Sequence, residues 1–165
     1  MRKRTDGFTI VELLIVVVVV AILATVTVVS YNGIQAQAYN STVQSDLHNL
    51  AQKFEIYKAS NDRYPLLDDL ASVGVTVSKQ SYDTSTNAFL YCFRTDGSQY
   101  AFIARSKSKT NYTVSSLNPA VATYTLSSFP TGGYATHCPN VLGTNQQNVW
   151  FHSIDSTPNW KSFVQ

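Results

Sequence analysis

The stretch Gly7-Phe8-Thr9-Ile10-Val11-Glu12-Leu13-Leu14 opens an apolar run that continues to Val29, and it places one ionisable carboxylate in a segment otherwise composed for a bilayer. From Phe8 to Val29 the run has 22 residues, which as an α-helix spans about 33 Å at ~1.5 Å per residue. That is enough for a hydrocarbon core ~30 Å thick. Glu12 is its only charged side chain. Ionised groups at mid-helix cost about 2.5–3.5 kcal/mol on insertion scales, less toward the ends, and a tolerated one asks for a partner. Scission between Gly7 and Phe8 would supply it. Phe8 would then carry a free α-amine, with Glu12 four residues on along the same helix face, its negative charge favoured by the helix N-terminus.

Two plainer readings compete. An ordinary secretory signal has a basic start, an apolar stretch of about 7–15 residues and a small-residue cleavage site after it, and Ala21-Ile22-Leu23-Ala24 imitates such a site. A single-pass anchor with cytoplasmic Arg2, Lys3 and Arg4 follows from the positive-inside rule. Both leave Glu12 without a function, and both imply retention of Met1 or loss of the whole apolar segment.

The basic leader Met1-Arg2-Lys3-Arg4-Thr5-Asp6, the glycine at position 7 and the following Phe8-Thr9-Ile10-Val11-Glu12-Leu13 resemble the class III signal of type IV pilins and pseudopilins. The resemblance implies cleavage after Gly7 by a prepilin peptidase, N-methylation of Phe8, and a Glu12 that neutralises the amine of a neighbouring subunit and sets axial register. The fold it implies is α+β and pilin-like. Residues 1–7 are then a leader, 8–29 a transmembrane and filament-core helix, 30–60 the amphipathic half of that helix, and 61–165 a β-rich head packed on residues 30–60. Implied partners are other pilin-like subunits in a helical filament, the peptidase and an assembly platform in the inner membrane. No cofactor and no catalysis are implied.

The residues beyond the membrane fit. Tyr39, Val43, Leu47, Leu50, Phe54 and Tyr57 recur at spacings of three and four, drawing one apolar stripe on a helix. No proline interrupts Phe8 to Ala59, so one helix of about 50 residues is expected, with Gly33 as its weak point. It should stop near Ser60-Asn61-Asp62, because Pro65 biases Tyr64 away from helix. The sequence Asn61-Asp62-Arg63-Tyr64-Pro65, followed by a short helical turn, again resembles the helix exit of pilins. Many major pilins also carry a proline near the end of the membrane segment that lets it melt locally. Ala21 to Val29 has none, and the low-propensity Val26-Thr27-Val28-Val29 leaves melting in the filament open.

Downstream, residues 88–94 and 99–105 around Thr95-Asp96-Gly97-Ser98 read as a β-hairpin, Asn111 to Leu117 as a third strand and Ala122 to Leu126 as a weaker fourth. The Gly-, Asn- and Pro-rich region after Phe129 reads mostly as loop. Cys92 and Cys138 lie 46 residues apart, outside the cytoplasm on this topology. A disulfide is their expected use there, with two free thiols as the alternative, and Cys138 back to Cys92 resembles the C-terminal disulfide loop of pilins.

The charge balance excludes a conspicuous nucleic-acid surface. The full chain has 12 basic and 10 acidic side chains, and removal of the leader leaves nine of each. Arg105, Lys107 and Lys109 near Tyr100 and Tyr112 nevertheless form a small basic-aromatic patch. Repeated along a filament, it offers DNA or an anionic surface glycan phosphate contacts and stacking. His48, His137 and His152 are scattered, and His137-Cys138 alone falls short of a zinc site. Asp68, Asp69 and Asp83 offer carboxylates to calcium but only Asp155 lies in the C-terminal tail, and Asn40 and Asn111 open glycosylation sequons.

The reading that follows is a type IV pilus-like subunit for adhesion, motility or DNA uptake. It would be single-pass in the cytoplasmic membrane, N-terminus inside and C-terminal domain outside, before assembly into an extracellular pilus or a periplasmic or cell-wall pseudopilus. The alternative in the same family is a pseudopilin of a secretion or competence machine. The alternative of another class is a membrane-tethered binding module that never polymerises.

Overall fold

In the computed structural model the described residues are 7–74, 76–83, 85, 88–125, 133–143 and 149–152. They form helix α1 (Ile10–Asn61), a 3-10 turn (Leu67–Asp69), the short α2 (Leu70–Val73), a second 3-10 turn (Lys79–Ser81), strands β1 (Phe89–Phe93), β2 (Tyr100–Arg105), β3 (Asn111–Ser115) and β4 (Ala122–Thr123), helix α3 (Gly133–Leu142) and strand β5 (Val149–His152). The chain separates into two compact units, Met1–Ala36 and Gln37–Gln165. This is the expected α+β, pilin-like arrangement, a long N-terminal helix and an antiparallel sheet.

In the first unit, α1 contains the one helix among the described residues that is long and apolar enough to cross a membrane. Its side chains from Ile10 to Val28 are exposed in the isolated chain, so lipid or other helices must cover them. The helix runs without interruption through Val26-Thr27-Val28 and Gly33.

In the second unit the predicted stripe is buried. Val43, Leu47, Leu50 and Phe54 are essentially inaccessible and share one core with Phe89, Tyr91, Phe93, Tyr100, Phe102, Tyr112 and Val114. Period-two alternation puts those sheet residues on one face. The intervening Leu90, Cys92, Ala101 and Ile103 face the other way and are buried too, in a second cluster with Cys138 and Leu142 of α3. The sheet is therefore covered on both faces, by α1 and by α3, in the order β4-β3-β2-β1-β5.

Here the structure corrects the loop reading after Phe129. Gly133–Leu142 is helical despite Pro139, and Val149–His152 pairs antiparallel with β1, Tyr91 opposite Trp150. Both elements depend on partners far away in sequence. Cys92 and Cys138 form a disulfide with Cα atoms 5.6 Å apart, and the Tyr124 hydroxyl lies 3.1 Å from Nδ1 of His137. The fourth strand is only two residues long.

The exit of α1 is locked onto the hairpin. Asp62 takes a left-handed conformation at φ 57°, and its N–H donates to the Lys58 carbonyl at 2.9 Å, ending the helix. The Tyr64 N–H donates to the Gly97 carbonyl at 2.8 Å, and the Tyr91 hydroxyl donates to the Pro65 carbonyl at 2.6 Å. Gly97 has φ 68°, and a Cβ there would lie 2.8 Å from Cβ of Arg63.

Asp83 accepts from Arg105 at 3.0 Å and from Lys109 at 2.7 Å, and it is almost fully buried. Burial opposes its ionisation, yet Lys109, Ser85 and Arg105 outweigh that and bring the carboxyl down to about 2. Because the folded-state value lies below the unfolded value of about 3.9, this ion cluster stabilises the fold at neutral pH, and the contribution is lost as pH falls from about 4 through about 2.

Two outcomes are expected. Gly97→Ala, which meets both a left-handed backbone and a steric overlap, should cost about 1–3 kcal/mol in urea unfolding of the detergent-solubilised protein; an unchanged midpoint would remove the strain argument. Asp83→Asn should lower the thermal midpoint at pH 7 and flatten its fall between pH about 4 and about 2. Equal acid slopes in the two proteins would assign that dependence to other groups.

Candidate processing and assembly site

Gly7 and Phe8 precede the first helical residue, Ile10, and Phe8 is 81 % exposed. A Cβ added at Gly7 would meet nothing within 4 Å, and Gly7 does not have a positive φ. Among the described residues nothing demands glycine at this position.

Thr9 starts the helix. Its N–H and its hydroxyl both donate to Oε2 of Glu12, at 3.0 and 2.7 Å, while the Glu12 N–H donates back to Oγ1 of Thr9 at 3.2 Å. This reciprocal pair is a capping box, which satisfies two backbone donors that a helix start otherwise leaves open. Thr9 is the residue that reading the sequence passed over. Its signal was present in Thr9-Ile10-Val11-Glu12, a Thr-x-x-Glu pattern ahead of an apolar run. Cleavage after Gly7 would remove no atom of this cap. The cap supplies hydrogen bonds but no positive charge, so Glu12 still brings a net negative charge into the apolar segment.

The remaining sequence candidates lie elsewhere. Arg105 donates to Asp83 and, at 3.3 Å, to the Asn111 carboxamide; Lys109 donates to Asp83; Lys107 is exposed, its Nζ 5.3 Å from the Tyr39 ring centroid. Tyr100 is fully buried and Tyr112 nearly so, so the two rings proposed for stacking have no face to offer. The basic-aromatic patch is therefore corrected to a basic turn. Asn40 of the first sequon is committed to accepting from Ser106 and Ser108, each at 2.6 Å. His48 is exposed beside Gln52, and His137 is buried under the Tyr124 hydroxyl. Among the described residues no three His, Cys, Asp or Glu side chains are arranged to hold a metal.

Comparison with known proteins bears on this geometry. The family profile for the "Prokaryotic N-terminal methylation motif" matches residues 2–28. The chain is 32 % identical over 79 residues to the type II secretion system core protein G of Dickeya chrysanthemi, a match covering 48 % of this chain and 50 % of that protein. It is 36 % identical over 63 residues to the protein of the same name from Klebsiella pneumoniae, covering 38 % and 45 %. With that of Vibrio cholerae it shares 37 % over 68 residues, covering 41 % and 46 %. The chain thus spans about half the length of the curated relatives it matches. No solved structure matches it significantly. The chain thus carries the prokaryotic N-terminal methylation motif at the start of a pilin-like helix-on-sheet arrangement, and over about half of its length it is similar to secretion-system core proteins.

Proposed function

We propose that the chain is a pseudopilin-like structural subunit of a secretion-type fibre. Residues Phe8 to Val29 anchor it in the cytoplasmic membrane with the N-terminus inside. A prepilin peptidase cuts between Gly7 and Phe8 and methylates the Phe8 amine. The exposed apolar half of α1 then exchanges lipid for neighbouring helices, and Glu12 sets the axial register by meeting the amine of another subunit. The observation that carries this reading is a glycine at position 7 that the fold itself does not need, immediately before a capped, single-acid apolar helix. The named relatives are all secretion-system subunits, which favours a pseudopilus over the surface pilus expected from sequence. One observation favours the surface pilus instead: the Cys92–Cys138 disulfide pins the C-terminal region to the sheet as in the pilin arrangement.

Mass spectrometry of the native protein should find residues 1–7 missing and one methyl added at Phe8, and Gly7→Glu should block both changes. A product that retains Met1, or one that has lost the apolar run, would sink the proposal. Glu12→Gln and Glu12→Ala separate the cap from the charge, because glutamine can keep a capping box. Both variants should be processed, and both should fail to appear in sheared or overexpressed fibres. Fibre formation by Glu12→Gln at the native level would confine Glu12 to capping. Abundance of the chain in long surface filaments of the native host would restore the pilus reading.

A further inference from the structure

Polymerisation through α1 gives no work to the turn between β2 and β3, which is rigidly held and carries exposed cations. The Ser106 N–H donates to the Thr110 carbonyl at 2.8 Å, the Lys109 N–H to the Ser106 carbonyl at 2.9 Å, and the Lys107 N–H to the Ser81 carbonyl at 2.8 Å. Lys109 holds φ 72°. The turn is fastened to the first residues of the second unit, through the Asn40 carboxamide oxygen that accepts from Ser106 and Ser108 and through Lys107 over Tyr39. It therefore lies at the end of that unit where the chain arrives from the apolar run.

The charges are arranged to act outward. Lys107 is exposed, and Lys109 keeps 56 % of its side chain in solvent while it touches Asp83. Arg105, Lys107 and Lys109 against Asp83 leave two positive charges, and α1 has no charged residue between Glu12 and Asp46 to offset them. Ten residues separate Val29 from Tyr39, at most about 15 Å as helix. The headgroup layer takes up about 5–7 Å of that. What remains, before the length of a lysine side chain is counted, is comparable to the Debye length of about 8 Å at physiological salt. Nucleic acid fits less well, since Tyr100 and Tyr112 are buried and stacking supplies much of sequence-tolerant single-strand binding.

We propose that Lys107 and Lys109 form a docking surface for anionic phospholipid headgroups, which holds the head against the bilayer before assembly. The proposal rests on membrane anchoring through Phe8 to Val29, and it is independent of fibre formation. Release of this contact would accompany extraction of the subunit from the membrane.

The test uses the full chain in nanodiscs of phosphatidylcholine alone or with phosphatidylglycerol, each with a headgroup spin label, and reads paramagnetic broadening of the Ser106 to Thr110 amide signals. Broadening should appear with phosphatidylglycerol, weaken with added salt, and shrink with Lys107→Gln and Lys109→Gln. Each substitution should reduce the ratio of apposed to free heads about fivefold, and the pair about 25-fold. Lys107→Gln breaks no hydrogen bond to a side chain, so it tests the charge without disturbing Asp83. Broadening that is equal in neutral lipid, or indifferent to both substitutions, would overturn the docking surface while leaving anchoring intact. Shifts at Lys107 on adding single-stranded DNA, with no response to anionic lipid, would overturn it in favour of nucleic acid. Failure of the chain to enter the nanodiscs would overturn this proposal and the membrane reading together.

Discussion

The ring of Phe54 sits among Tyr91, Tyr100 and Phe102 at centroid separations of 5.6, 4.7 and 4.9 Å, and this contact is where the long helix acquires a head. An isolated helix gains little from propensity alone, and an amphipathic one is stabilised mainly by what covers its apolar stripe. The aromatic face of β1 and β2 provides that cover for Val43, Leu47, Leu50 and Phe54. Edge-to-face and stacked ring pairs add about 0.5–1.5 kcal/mol each beyond burial. They also fix the height at which the sheet grips the helix, because Phe54 fits between rings rather than against a smooth wall. The exit turn follows from that placement: Tyr64 packs on Tyr100 and its N–H reaches Gly97, which tolerates the approach only because it has no side chain.

The capping box changes the physical account of Glu12. Sequence reasoning held that a carboxylate in an apolar run demands a new ammonium terminus. The structure shows that Thr9 already donates two hydrogen bonds to Oε2 of this carboxylate within the chain. Hydrogen bonding and charge compensation are separate requirements in a low-dielectric setting. The first is met locally at Oε2. The second is still unmet by any cation on the apolar run, and it leaves room for the intersubunit role proposed above.

The legibility of the chain divides according to the range of the interactions. Helix α1 could be read from spacing, its end from Pro65, and the hairpin from Asp96-Gly97, because each signal lies within a few residues of the structure it determines. The disulfide was expected from the extracytoplasmic placement of Cys92 and Cys138 and from the resemblance. Helix α3 and strand β5 were not legible, since their composition resembles loop and their stability comes from contacts with β1 about 40 to 60 residues earlier. A clue lay in Leu90, Cys92, Ala101 and Ile103: a strand with apolar residues on both faces needs cover on both. The basic patch misled for the same reason. Asp83, 22 and 26 residues before Arg105 and Lys109, neutralises part of it, and no local pattern announces a pairing of that range.

The disulfide has more to do for α3 than its position near the end of the described chain implies. Proline inside a helix costs about 3 kcal/mol, and α3 carries Pro139 next to Cys138. Full burial of a leucine such as Leu142 returns about 1.5–3 kcal/mol, which only matches that cost. Closing a loop across a separation of 46 residues contributes about 4 kcal/mol in the chain-entropy account. In that account the cross-link outweighs the burial of Leu142, and α3 covers Leu90 and Ile103. Disulfides form outside the reducing cytoplasm, whereas the proposed cleavage after Gly7 takes place on the cytoplasmic side. A subunit made in the proposed way acquires this cross-link only after its head has crossed the membrane.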